Sequence, residues 1–129
     1  MVLNFLTRRS VQPNDCVMFD IDDTLIRVDG TPIQEVINLL RICQVLGYKI
    51  VIITARPYYS ENAQWTKQQL AHHGITYDLL AYAAPQHKTT AKRYLMKERG
   101  WKFVLSVGDL DTDLTDSEAT LNISTGYYN

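Results

Sequence analysis

Cysteine is scarce in this chain: only Cys16 and Cys43 occur in 129 residues. Two thiols cannot supply the disulfide framework that staples small secreted domains. Both fall in apolar segments and read as small buried hydrophobes, which suits a reduced, cytoplasmic setting. Long apolar runs are also missing. None approaches the roughly 18 residues of a membrane-spanning helix. Residues 1–9 carry their arginines after a very short apolar stretch, the wrong order and length for a signal peptide. They read instead as a short helix or arm packed on the domain. Nor is there a basic excess. Thirteen Lys and Arg face 14 Asp and Glu, a net charge of −1. That argues against a general nucleic-acid or membrane-surface binder, though not against a local basic patch. His72, His73 and His87 show no zinc-ligand spacing with the cysteines and read as surface or loop residues.

What remains is ordinary globular material, 46% hydrophobic and 21% charged. It suffices for one domain over residues 1–129, with no room for a second. Strand-like and helix-like segments alternate. Residues 16–20 are a short continuous apolar run, as expected of a strand covered on both faces. Residues 26–33 alternate around Asp29-Gly30, a signal for a small flap hairpin. A helix follows, with Thr31 as cap, Gln34 completing a capping box and Gly47 ending it. Lys49–Thr54 is a β-branched second strand. Ser60 is expected to cap a helix running to His73. A short strand at Leu79–Tyr82, a helix over Lys88–Arg99, a strand at 101–107, a short helix after Asp113 and a final strand at 121–124 complete the pattern. Such alternation predicts an α/β fold, a Rossmann-like three-layer sandwich around a central, mostly parallel five-stranded sheet. Ligands of such sheets bind at the carboxyl ends of the strands.

Two aspartate clusters fall at those ends. Asp20-Ile-Asp22-Asp23-Thr24 follows the first strand, and Gly108-Asp109-Leu-Asp111-Thr-Asp113 follows the fourth. Alternate residues of an extended segment share a side, so Asp20 and Asp22 would face one way with Ile21 turned inward. One carboxylate can attack an electrophile while the other moves a proton. If the two strands are neighbours, Asp109 closes a metal site with Asp20. All-oxygen ligands point to Mg²⁺ rather than Zn²⁺. Asp113 would be a further ligand or would hold a metal-bound water. Thr54 ends the second strand, where its hydroxyl can meet an oxyanion, and Arg56 sits at the same mouth. Lys88 opens a helix and lies closer than Lys92 to the apolar stripe of Ala91, Tyr94 and Leu95, so it can reach inward. Phosphoryl transfer needs this set of nucleophile, acid/base, hard cation and cationic donors.

A calcium loop is a poorer reading. The position that needs glycine is Leu25 in one cluster and Leu114 in the other, and the closing glutamate would be Thr31 or Thr120. Either cluster alone fits a helix cap or loop, but the ordered set of both with Thr54 and Lys88 between them does not. Tyr58, Tyr59 and Trp65 read as packing or rim residues.

These residues resemble the four ordered motifs of the haloacid dehalogenase superfamily, in its phosphatase branch. The first motif reads Asp20-Ile-Asp22-Asp23-Thr24 and the second Ile50-Val-Ile-Ile-Thr54. The third is Lys88, and the fourth is Gly108-Asp109 through Asp113. The resemblance implies that Asp20 is a nucleophile forming an aspartyl-phosphate. It implies that Asp22 is the general acid/base and lends its backbone carbonyl to Mg²⁺. Thr54 and Lys88 would bind the phosphoryl group, with Arg56 at the rim. Asp20, Asp22, Asp109 and Asp113 would make up the metal site. The stretch Thr54-Ala-Arg-Pro57, with Trp65, His73-Gly-Ile75 and Tyr77-Asp78, is similar to the phosphatase half of bacteriophage polynucleotide kinase, apart from Ala55 where glycine is frequent. The Asp-Ile-Asp-Asp-Thr form is shared with class B acid phosphatases.

Neither insertion point used by that family has room for a cap domain, so the site is expected to be capless. An open site suits a large substrate such as a polynucleotide end or a phosphoprotein. It also suits a homo-oligomer in which a partner subunit supplies the cap. A nucleotide or small-metabolite phosphatase is the alternative within the same chemistry. A receiver-like signalling domain shares the length and a phosphorylated aspartate, but it orders its residues Asp-Asp, Asp, Thr, Lys. Here the order is Asp-x-Asp, Thr, Lys, Asp.

Overall fold

The buried apolar runs become the central strands of a sheet. The computed structural model describes residues 2–129. Strand β1 (Asp15–Phe19) is buried along its whole length, and β2 (Lys49–Thr54) along all but its first residue. Strands β3 (Leu79–Tyr82), β4 (Lys102–Gly108) and β5 (Ala119–Asn122) join them, with order β3-β2-β1-β4-β5 and every pairing parallel. One strand was not expected. β6 (Tyr127–Tyr128) pairs antiparallel with β5 and makes the sheet six-stranded. It is only two residues long, too short to leave a periodic signal. It is brought back by a turn in which Gly126 takes a φ of +72°, open to glycine without strain.

The strands bury alternate residues on opposite faces. Val17, Phe19, Ile50 and Ile52 share a core with helix α2 (Gln34–Leu46), with Leu70 of α3 (Ser60–His72), and with Leu6 of α1 (Val2–Arg8). Cys16, Met18, Val51 and Ile53 point the other way and pack with Leu95 of α4 (Lys88–Arg99). The result is three layers, with α1, α2 and α3 against one core and α4 against the other.

Several local expectations are corrected. Thr31 does not cap α2. Its N–H and hydroxyl both donate to Asp29 Oδ1, at 3.0 and 2.7 Å, so Asp29 takes the side chain into a local turn. The N-cap is Ile33, without a side-chain bond, and Gln34 bonds Asn38 instead of closing a box. Ser60 is the first residue of α3 rather than its cap, and the capping Tyr59 uses only its carbonyl. The flap hairpin reduces to a single bridge between Ile26 and Pro32. Its Gly30 carbonyl lies 3.2 Å from His73 Nε2, so the loop leans on the end of α3. The short helix near the fourth motif falls at Asp111–Asp113 as a 3₁₀ turn rather than after it.

Candidate active site

β1 is flanked by β2 on one side and β4 on the other. After β3 the chain crosses back past β1 to form β4, so the direction of strand addition reverses between β1 and β4. A crevice opens at such a switch point, beyond the carboxyl ends of the strands. Asp20 leaves β1 and Asp109 leaves β4 there. The Asp20 N–H donates to the Val107 carbonyl at 3.1 Å, extending the ladder one residue past β1. Ile21 is fully buried, and its carbonyl accepts the N–H groups of Thr24, Leu25 and Ile26. That knot anchors the acidic turn from below, as expected of an inward Ile21.

The structure gathers Asp20, Asp109 and Asp113. Each offers a carboxylate oxygen, and these oxygens lie within 4.8 Å of one another. Lys88 Nζ donates to Asp20 Oδ1 at 2.8 Å and to Asp113 Oδ1 at 2.6 Å. Asp113 is fully buried, and its other oxygen accepts the Leu110 N–H at 3.2 Å. Gly108 makes that packing possible. A Cβ there would lie 2.7 Å from Asp113 Cγ, well inside contact distance.

Burial pushes the Asp20 carboxyl from its ordinary 3.8 up to about 7, against the pull of Lys88 and with help from the charge on Asp113 and a hydrogen bond with Asp109. Crowded carboxylates cannot all ionise without a compensating cation. Burial alone would lower Lys88, but its contacts with Asp20 and Asp113 outweigh that, and it is held above its ordinary value. Three convergent carboxylates with no sulfur or imidazole among them fit a hard, oxygen-seeking cation such as Mg²⁺.

The Asp22 carboxylate stands outside this triad. Arg56 clamps it, Nε to Oδ2 at 3.1 Å and Nη2 to Oδ1 at 2.8 Å, while Arg56 Nη1 donates to Thr66. Thr54 is fully buried, and its hydroxyl oxygen accepts the Arg56 N–H at 3.2 Å, which fixes the turn out of β2. The seven candidate site residues therefore stand at this end of the sheet, but in two groups: Asp20, Asp109, Asp113 and Lys88 at the switch point, and Asp22 with Arg56 and Thr54 beside it.

The sequence reading placed Lys92 farther than Lys88 from the apolar stripe, and the structure buries both. Lys92 is fully buried, one helical turn from Lys88 on the same face. Its Nζ donates to Ser106 Oγ at 2.9 Å and to the carbonyls of Asp113 and Thr115, each at 2.6 Å. Burial lowers it to about 8. It braces the turn that carries Asp113. The signal was the Lys88-x-x-x-Lys92 spacing, which puts both ammonium groups on one stripe. Tyr94, assigned to the apolar stripe, is instead 61% exposed.

A sequence-family model for the HAD superfamily, subfamily IIIB (acid phosphatase), matches residues 26–126, more than half of the chain. The match begins just after the first aspartate cluster. No curated protein matches the sequence closely enough to be named as a relative. Among solved structures, a chain of the Pnkp1/Rnl/Hen1 complex superposes with a TM-score of 0.62 at 20% identity, covering 80% of this chain and 42% of its own length. A chain of the Pnkp1/Rnl/Hen1 RNA repair complex gives 0.64 at 19% identity, covering 81% and 39%. This chain thus spans about two fifths of those neighbours, and at such identity the likeness speaks for the fold. The matched family and the ordered motifs agree: the chain belongs to the HAD superfamily, subfamily IIIB, the acid phosphatases.

Proposed function

We propose that the chain is a Mg²⁺-dependent phosphomonoesterase that works through an aspartyl-phosphate on Asp20. The observation that carries this reading is Lys88, which bridges Asp20 and Asp113 at the switch point while Asp109 converges on the same spot. An Asp20 oxygen attacks phosphorus, and the bond from phosphorus to the departing oxygen breaks. Asp22 gives a proton to that oxygen. In the second half Asp22 takes a proton from water, whose oxygen attacks the aspartyl-phosphate, releasing phosphate and restoring Asp20. Lys88 and Thr54 hold the phosphoryl oxygens. Arg56 orients Asp22, and its guanidinium has more N–H donors than the three hydrogen bonds it makes, leaving capacity for a phosphoryl oxygen. Mg²⁺ bound by Asp20, Asp109 and Asp113, with the Asp22 backbone carbonyl, would neutralise the charge that lets carboxylate and phosphate approach.

The loops after β1 and β2 hold no inserted cap, which favours a large phosphoester such as a polynucleotide end or a phosphoprotein. The scarce cysteines favour action in the cytoplasm, and a homo-oligomer could supply a lid. The test is Asp20→Asn with a small phosphoester and Mg²⁺. Turnover should fall at least about 10³-fold, and acid-quenched protein should no longer carry labelled phosphate. Full Mg²⁺-dependent activity in that variant would sink the mechanism.

A further inference from the structure

Two buried lysines rise from one face of α4, and they hold different things. Lys88 Nζ donates to carboxylates, Asp20 Oδ1 and Asp113 Oδ1. Lys92 Nζ donates instead to the Ser106 hydroxyl and to the main-chain carbonyls of Asp113 and Thr115. Around Lys92, α4 and β4 grip the segment that follows the second aspartate cluster. The Thr89 hydroxyl meets that of Thr115, the Ser106 hydroxyl meets that of Ser117, and Arg93 Nε donates to Asp116 Oδ2 at 2.6 Å. The Arg93 side chain is 69% exposed, so its ion pair contributes little. Lys92 is fully buried. Without its ammonium group, two carbonyls and a hydroxyl would lose a partner away from water.

The difference between the two lysines matters when a cation arrives. Mg²⁺ drawn to Asp20 and Asp113 would share their oxygens with Lys88, and Lys88 also has a phosphoryl group to hold. The Lys88 bridge is then remade as ligands come and go, so it cannot be what keeps Asp113 in place. The bonds of Lys92 end on the main chain and on Ser106, outside the carboxylates that the cation takes, so they persist. A ligand held in place beforehand spares the cation the cost of ordering it. We propose that Lys92 is a positioning residue. It fixes the main chain at Asp113, so that this carboxylate stays in the metal site while Lys88 exchanges partners, and it thereby sets the affinity for Mg²⁺. This rests on the Mg²⁺-dependent phosphatase reading above and adds what holds its metal site together.

Mg²⁺ binding to the full chain tests it, by titration calorimetry without substrate, in the wild type, Lys92→Met and Leu95→Ala. Methionine keeps an unbranched apolar stem and removes the N–H donors. Leu95 lies on the same helix, buried in the core that holds Cys16 and Met18, so Leu95→Ala controls for a weakened α4. Lys92→Met should bind Mg²⁺ roughly 10–100-fold more weakly, whereas Leu95→Ala should bind it as the wild type does. With 4-nitrophenyl phosphate at limiting Mg²⁺, kcat of Lys92→Met should fall and then recover as Mg²⁺ is raised, with KM for the ester unchanged. Wild-type Mg²⁺ affinity in Lys92→Met, or an equal loss in Leu95→Ala, overturns the proposal. If circular dichroism shows that Lys92→Met does not fold, Lys92→Gln takes its place: its amide stops short of the ammonium position, and the same two outcomes decide. Wild-type protein that binds Mg²⁺ but hydrolyses no phosphoester sinks the phosphatase reading alone, since the affinities still decide the role of Lys92. Absence of Mg²⁺ binding in the wild type overturns both.

Discussion

At the scale of single residues, the site turns on close approach and crowded charge. Gly108 is there because Asp113 occupies the space a side chain would need. Gly108→Ala should push Asp113 off Lys88, costing about 1–3 kcal/mol of stability and lowering kcat roughly 10²-fold or more. Thermal melting and steady-state kinetics check both. Normal kinetics in that variant would mean that Asp113 is not needed where it stands. Asp20 gives a pH prediction. Its carboxyl rises from 3.8 to about 7 on folding, so the folded state holds a proton that the unfolded state has lost. The stability tied to that proton is present at low pH and fades as pH climbs through about 7. A divalent cation needs the ionised form, so its effect runs the opposite way. The rise in Tm on adding Mg²⁺ should grow between about pH 5 and about pH 8, and Asp20→Asn should flatten the trend. A pH-independent Mg²⁺ shift in the wild type would contradict the carboxylate site.

At the scale of elements, what the sequence made legible follows from periodicity and glycine. A continuous apolar run announced β1 and a β-branched run β2, and Gly47 and Gly100 end α2 and α4 in left-handed conformations. The Thr31 cap was misjudged because a nearby acceptor competes. Asp29 captures Thr31 before the helix can. Lys92 was set aside because helical angle placed Lys88 nearer the apolar stripe, and only the packing of α4 reveals that Lys92 reaches Ser106 on β4 and the carbonyls of Asp113 and Thr115 beyond it. The N-terminal helix was foreseen only as a short helix or arm. Its anchor is now specific: Leu6 is fully buried, and its carbonyl accepts the Tyr48 hydroxyl at 2.7 Å. Leu6→Ala should cost about 2–5 kcal/mol by chemical denaturation, with little effect on kcat because Leu6 packs in the core shared with α2 and beside Tyr48, away from the carboxylates of the site. A loss within a few tenths of a kcal/mol would mean that α1 is only loosely attached.

At the scale of the whole molecule, a single sheet runs under both cores, so neither core can be lost without exposing the other face of the same strands. β1 shows the coupling: Val17 and Phe19 serve one core while Cys16 and Met18 serve the other. The chain should therefore unfold as one cooperative unit. Two tryptophans report from separate parts of the fold. Trp65 lies on α3 under Arg56 at the site, and Trp101 precedes β4, flanked by Lys49 and Arg99. In urea, the single-tryptophan variants Trp65→Phe and Trp101→Phe should each give a fluorescence transition that coincides with that variant's own far-ultraviolet circular dichroism, with a slope of roughly 1–3 kcal/mol per molar. Separate midpoints for the two probes within one variant would mean that the part of the fold near its remaining tryptophan melts alone. The single-domain reading of residues 1–129 would then give way to two folding units, and the site, which draws Lys88 from one layer and its carboxylates from the sheet, would be lost at the first transition.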